Sequence, residues 1–199
     1  MEFTKNFLKD TSWIARNIEP LEIFSLICIL NSIKKRGGRI FILGVGGSAA
    51  TASHAVNDFR KICGMDAVSP LDNVAEITAR INDDGWEESL VGWLEGAKIN
   101  PNDFVLFISV GGGDLERDVS VNLIKAMDLA VEKEVYTGCI VGREEGYLYE
   151  HADYPVLIDV PDNDAITPYV ESFHSVILHL IVSHPMLKEN QTKWESINE

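Results

Sequence analysis

Four short apolar runs punctuate the chain after residue 38: RIFILG at 39–44, FVLFIS at 104–109, VYTGCIVG at 135–142 and YPVLIDV at 154–160. Each is rich in apolar, β-favouring residues, and helical patterns fill the intervals between them. A strand that is apolar at successive positions must be covered on both faces, which a half-solvated antiparallel sheet does not require. Such strands separated by helices predict a parallel sheet enclosed between two helical layers. A weaker strand signal falls at 67–70, which brings the count to five. The expected fold is an α/β, three-layer α-β-α sandwich with a five-stranded parallel sheet, flavodoxin-like, behind an N-terminal helical extension.

That extension carries Phe7, Ile14 and their neighbours on one helical pattern, then LEIFSLICILNSIKK, which ends in a basic last turn and Gly37-Gly38. The second helix is apolar on more than one face, so it is expected to pack on two sides, one of them against another subunit. At 199 residues and 46% hydrophobic, with no linker, repeat or low-complexity stretch, the chain reads as one domain. Its parts are N-terminal helices over 1–37, an α/β core over 38–185 and a polar tail over 186–199 anchored by Trp194.

Acidic residues outnumber basic ones by 31 to 17, leaving a net charge of −14 that repels a phosphate backbone or an anionic membrane. Nucleic acid is therefore not an expected partner. The longest apolar run, IFSLICIL at 23–30, is too short to cross a bilayer, and a cytoplasmic protein is expected. Cys28, Cys63 and Cys139 show no CxxC spacing and read as reduced, mostly buried thiols.

In open parallel sheets ligands collect beyond the carboxyl ends of the strands. Two glycine turns fall there: GVGGS at 44–48 and SVGGGD at 109–114. The first is not a dinucleotide fingerprint, because the third glycine of that pattern would fall at Ala49. It is either a nest of N–H groups for an anion or sugar oxygen, or a tight turn with a packing role. His54 and Asp58, spaced i, i+4 on the next helix, are either a metal or acid–base pair or a surface pair. The apolar segment TPYVESFHSVILHLIVSH adds Glu171, His174, His179 and His184. His174 is either a hydrogen-bonded core residue or, in an ExxH pair with Glu171, a metal ligand, and His184 reads as a helix-terminus residue. Glu171 and His179 share an azimuth but stand roughly 12 Å apart along the axis.

Taken in order, GVGGSAATASHAVND, INDDGWEE, FISVGGGD and YVESFHSVILH resemble the sugar isomerase (SIS) domain family, in its sedoheptulose 7-phosphate isomerase (phosphoheptose isomerase) branch, from about residue 5 to 184. The resemblance implies a homotetramer with active sites at subunit interfaces, which converts a ketoheptose phosphate to its aldose for bacterial surface polysaccharide (lipopolysaccharide) synthesis. It also implies zinc or another divalent metal held by His54, Asp58, Glu171 and His179, with Asp58 and His179 as the proton-transfer groups. Two of these four depart from the branch: Asp58 stands for Glu and Glu171 for Gln. Both remain oxygen ligands, although the shorter Asp58 draws back by roughly 1.5 Å.

On the substrate side the resemblance assigns Gly46, Gly47, Ser48, Asp83, Ser109, Gly111, Gly112 and Asp114. Here the match is weakest, since SVGGGD replaces a run rich in Ser and Thr that holds the substrate phosphate. Losing those hydroxyls forfeits hydrogen bonds worth about 1.5–3 kcal/mol each to a charged group. Three successive glycines still offer backbone N–H groups, with Arg117 or Ser120 assisting from the following helix. Two alternatives follow: a sugar-binding or regulatory module without catalysis, and an isomerase whose substrate lacks the phosphate or places a cationic group at Asp114.

Overall fold

The computed structural model describes residues 1–198. In chain order the elements are α1 (Glu2–Asn17), α2 (Pro20–Lys35), β1 (Arg39–Gly44), α3 (Gly47–Lys61), β2 (Asp66–Val68), α4 (Val74–Asp84), α5 (Ser89–Gly96), β3 (Phe104–Ile108), α6 (Val121–Glu132), β4 (Tyr136–Val141), α7 (Tyr147–His151), β5 (Tyr154–Leu157) and α8 (Ile166–Ser183). The five strands form one sheet in the order β2-β1-β3-β4-β5, and every pairing is parallel. This is the expected sandwich, with its topological switch between β1 and β3.

Period-2 alternation sorts the apolar strand residues into two cores. Ile40, Ile42, Phe104, Leu106 and Ile108 face α1, α2, α3 and α8. Phe41, Leu43, Val105, Phe107 and Val141 face α4 to α7. Both sets are fully buried, which is why the runs read as unbroken apolar stretches. Burying each such side chain contributes about 1.5–3 kcal/mol. The opposite, N-terminal edge of the sheet is fastened by Asp103, which is buried and accepts from the Arg39 backbone N–H at 3.1 Å and from the Arg39 guanidinium at 2.7 Å.

Helix α2 begins where Glu19 accepts the Leu21 N–H and Pro20 takes the first turn, and it passes through a basic last turn to Gly37 at φ 70°. Its buried face carries Ile23, Leu26, Ile27, Leu30 and Ile33, whereas Leu21 and Phe24 remain exposed. Cys63 and Cys139 are buried as expected, but Cys28 lies on the exposed side of α2. The C-terminal segment also differs from expectation. Trp194 is 82% exposed and anchors nothing. The segment is pinned instead by buried Leu187 and by the Glu189 and Asn190 N–H groups, which donate to the Ile62 carbonyl at 2.9 and 3.0 Å. Glu199, the last residue of the expected polar tail, lies outside the described residues.

Helix α8 is strongly apolar, and residues 163–183 are long and apolar enough to cross a membrane by length and composition. It packs on the sheet, with Val170, Phe173, Ile177, Leu178 and Ile181 buried. His174 joins it to the strands: its Nε2 lies 3.1 Å from the Ile140 carbonyl, the ring is fully buried, and Nδ1 has no partner among the described residues. Burial removes solvation from the imidazolium and pushes the His174 pKa down to about 4.

A histidine held neutral by folding binds its proton more readily when unfolded. The stability it contributes is complete above the unfolded value near 6.5 and is lost as pH falls from there through 4. Denaturant titrations from pH 7 to 4 should show this loss, and His174→Gln, which keeps a donor for Ile140 but cannot titrate, should flatten the slope by up to one proton. An unchanged slope in that variant would contradict the assignment.

Candidate active site

Helices α3 and α8 follow β1 and β5 in the same layer, so they run parallel to one another with residue 47 beside 171 and residue 54 beside 179. This pairing brings His54, Asp58 and His179 together, each offering one ligand atom within 4.8 Å of the others. His54 Nε2 lies 3.2 Å from His179 Nε2 and 3.2 Å from Asp58 Oδ2, and His179 Nε2 lies 3.4 Å from the same oxygen. Three donor atoms therefore mark out a nearly equilateral triangle.

The triangle has the size of one face of a zinc tetrahedron. Ligand bonds of about 2.0–2.1 Å place tetrahedral donors about 3.3 Å apart. Helix geometry explains how the donors are aimed: His54 and Asp58 share a face of α3 at i, i+4, and the Asn57 amide donates to Asp58 Oδ1 at 3.0 Å, leaving Oδ2 for the histidines. Asp58 is buried at the helix-helix seam, while the two imidazoles are more than half exposed. Donor identity, spacing and access all fit a divalent ion with an open coordination position.

Glu171 stands apart from this group. Its carboxylate lies against Gly47, where an added Cβ would come within 2.5 Å of Oε1. Of the expected quartet, three donors lie within 4.8 Å of one another, and the Glu171 carboxylate, about two helical turns earlier on α8, is not among them. In that position Glu171 sets negative charge over the first turn of α3, whose N-cap Gly46, at φ 61°, has no side chain to serve the exposed N–H groups. His184 closes α8, and its ring accepts the Met186 N–H rather than donating to the last carbonyls.

The substrate-side residues lie around the carboxyl ends of β1, β3 and β4. Ser48 is 2% exposed and faces inward from the start of α3. Ser109 is also buried, and its Oγ accepts the Gly112 N–H at 3.1 Å, closing the glycine turn on itself. Asp83 occupies the last turn of α4, exposed, with its Oδ1 taken by the Asn82 amide at 2.8 Å. The acids that follow it have another partner: Lys125 on α6 bridges Glu87 at 2.7 Å and Glu88 at 2.6 Å, tying the INDDGWEE turn to α6.

Residues 114–119 form a small hairpin instead of leading straight into a helix. Asp114 and Val119 exchange two backbone hydrogen bonds of 2.9 Å, and α6 begins only at Val121, after Ser120 in a left-handed conformation. Arg117 therefore belongs to the hairpin and Ser120 to the helix cap. The Asp114 carboxylate accepts the Arg117 N–H at 3.0 Å and its guanidinium at 2.8 Å, which holds the carboxyl below its usual range. Asp114 is thus already matched by a cation, and no unpaired carboxylate faces a cationic substrate group there. A further pair, Arg143 and Glu145, closes on the same region from the turn after β4. Sequence reading passed over it, although REEG directly follows a strand end just as the two glycine turns do.

No protein-family model matches the chain. Among individual proteins, the phosphoheptose isomerase of Crocosphaera subtropica is 32% identical over 154 residues, covering 74% of this chain and 72% of that one. The lincomycin biosynthesis protein LmbN of Streptomyces lincolnensis is 30% identical over 191 residues, covering 90% of this chain and 68% of that one. Among solved structures, a phosphoheptose isomerase from Francisella tularensis superposes with a TM-score of 0.77 at 22% identity, covering 91% of this chain and 92% of the other, which attests the shared fold. On the strength of the relationship to the Crocosphaera protein, with its coverage of both chains, the protein belongs to the phosphoheptose isomerase family of sugar isomerase (SIS) domain proteins.

Proposed function

We propose that the protein is a metal-dependent aldose–ketose isomerase of sugar phosphates, with a ketoheptose phosphate such as sedoheptulose 7-phosphate as the first substrate to test. The single observation that carries this reading is the triangle of His54, Asp58 and His179, sized for one ion and open on its outer side. Three protein ligands with one open position are the mark of a catalytic zinc rather than a structural one. An ion bound there, zinc or another divalent metal, would supply electrophilic pull on a sugar carbonyl.

The chain's own groups do the rest. Asp58, held by Asn57 and seated in the seam, accepts the carbon-bound proton and returns it to the neighbouring carbon. His179, more than half exposed, carries the proton between the two substrate oxygens. Glu171 at the head of α3, with the turn Gly46, Gly47 and Ser48, bounds the space for sugar hydroxyls together with Asp83, while Ser109, Gly111, Gly112 and Asp114 shape the far end. The relationship to an antibiotic biosynthesis protein is a reason to test sugars outside surface polysaccharide synthesis as well. A cytoplasmic location suits a phosphorylated substrate.

The same reading includes a homotetramer with shared sites. An apolar groove of about 500 Å³ runs between α1, α2 and α8, lined by Ile18, Leu21, Phe24, Val176 and Leu180, with His184 at its end. Its rim leaves Leu21 70%, Phe24 46% and Val176 53% exposed, a patch that a second copy of the chain would cover.

Three measurements test this. Elemental analysis of protein purified without chelator should find about one divalent ion per chain, and both His54→Ala and His179→Ala should lose it. NMR-monitored conversion of the ketose phosphate should fall by roughly 10²–10⁴-fold in Asp58→Asn. Metal-loaded protein with no turnover on any ketose or aldose phosphate would defeat the enzymatic reading. For assembly, light scattering should show Phe24→Glu and Leu180→Glu shifting the protein to smaller species; a wild-type monomer would remove the shared-site model.

A further inference from the structure

Two arginines, Arg117 and Arg143, stand beside the glycine turn that lacks hydroxyl side chains after Ser109. A cavity of about 430 Å³ opens between the turns after β3 and β4, bounded by Gly111, Gly113, Gly146, Arg117 and Arg143 with their carboxylate partners Asp114 and Glu145. Its floor carries no side chains: the Gly111 carbonyl stands where a Cβ on Gly146 would be, and Gly112 and Gly113 adopt φ of 75° and 84°. The turns are locked together from beneath, as the Tyr147 and Leu148 N–H groups donate to the carbonyls of Gly113 and Gly112 at 3.2 and 2.8 Å.

Each arginine spends only part of its donor set on its neighbour. Arg117 uses Nη1 toward Asp114 at 2.8 Å, and Arg143 uses Nη1 toward Glu145 at 3.1 Å. Among the described residues, Nε and Nη2 of both guanidiniums have no protein acceptor, and neither do the backbone N–H groups of Gly111 and Gly113. The two cations look onto one space. The Glu145 carboxyl is held below its usual range first by its own backbone N–H, then by Arg143, and Arg117 adds to this from the hairpin. Each carboxylate already accepts a guanidinium and a backbone N–H, while guanidinium and glycine N–H donors remain without acceptors among the described residues, so the cavity favours an acceptor-rich group.

We propose that Arg117 and Arg143 are specificity-determining residues: a two-guanidinium clamp that binds the phosphate end of the substrate in place of loop hydroxyls. This rests on the sugar-phosphate reading above for the identity of the ligand, but not for the anion site itself. Guanidinium groups match phosphate oxygens through paired N–H donors, which single hydroxyls do not. Asp114 and Glu145 hold the two side chains in place and compete with the incoming anion, so the carboxylates tune affinity downward.

Calorimetric titration with inorganic phosphate at low salt tests the clamp. Arg117→Gln and Arg143→Gln should each weaken binding by about tenfold or more and the double variant by about a hundredfold, while Asp114→Asn should tighten it. Thermal midpoints serve as the folding control. With a ketose phosphate as substrate, the double variant should raise KM with little change in kcat, because the lost contact is made equally in the bound and transition states. Failure of the wild type to bind phosphate, or equal binding by the double variant, overturns the clamp. Arginine-dependent phosphate binding without any isomerase turnover would sink the enzymatic reading and leave the clamp standing; turnover with an unmoved KM would do the reverse.

Discussion

Two parallel helices lying side by side on one face of the sheet decide where every polar group of the site can stand. Because α3 and α8 both descend from the carboxyl ends of strands, their sequence positions advance together, and the seam presents 171 to 47 and 179 to 54. His54, Asp58 and His179 can meet only in that register. The register itself depends on apolar packing of Val170, Phe173, Ile177 and Ile181 against the sheet and on the buried His174 contact with Ile140. The meeting of three polar side chains thus rests on a face of a helix that is almost wholly hydrophobic.

Much of the architecture could be read in advance because burial on both faces leaves a plain signature. The strands at 39–44 and 104–108 were legible to within a residue, since each of their positions is apolar or glycine apart from Arg39. The short β2 was faint because only three residues pair at the sheet edge. The His54–Asp58 pair was legible from the i, i+4 spacing, and the partnership with His179 came from the family resemblance. Glu171 was grouped with them by the same resemblance, although the rise along the helix already set it roughly 12 Å from His179. Trp194 and Cys28 were misjudged for a common reason: side-chain type sets a preference for burial, while the neighbouring elements decide whether a surface exists to meet it.

The hairpin at 114–119 had no sequence signature of its own. GGGDLERDVS lacks both strand alternation and helical periodicity, and its form is set by Asp114 capping Arg117 and by left-handed residues at 118 and 120. Such local polar bonds are specific in geometry but common in composition, so they are visible only once coordinates place them. Their effect on chemistry is large, because they turn what reads as a repelling acid into one half of a neutral ion pair beside a donor-rich cavity.

The 125-residue separation between His54 and His179 has a temporal consequence. As the chain leaves the ribosome, β1, α3 and β3 can pair and bury apolar surface long before α8 has been made. The triangle of His54, Asp58 and His179 cannot exist during that interval, so a divalent ion would have no assembled site from which to template the early fold. Any ion the triangle holds would have to enter at the last stage of biogenesis, and a nascent or C-terminally clipped chain would carry a partly formed sandwich with an exposed α3 seam and without the donor of α8.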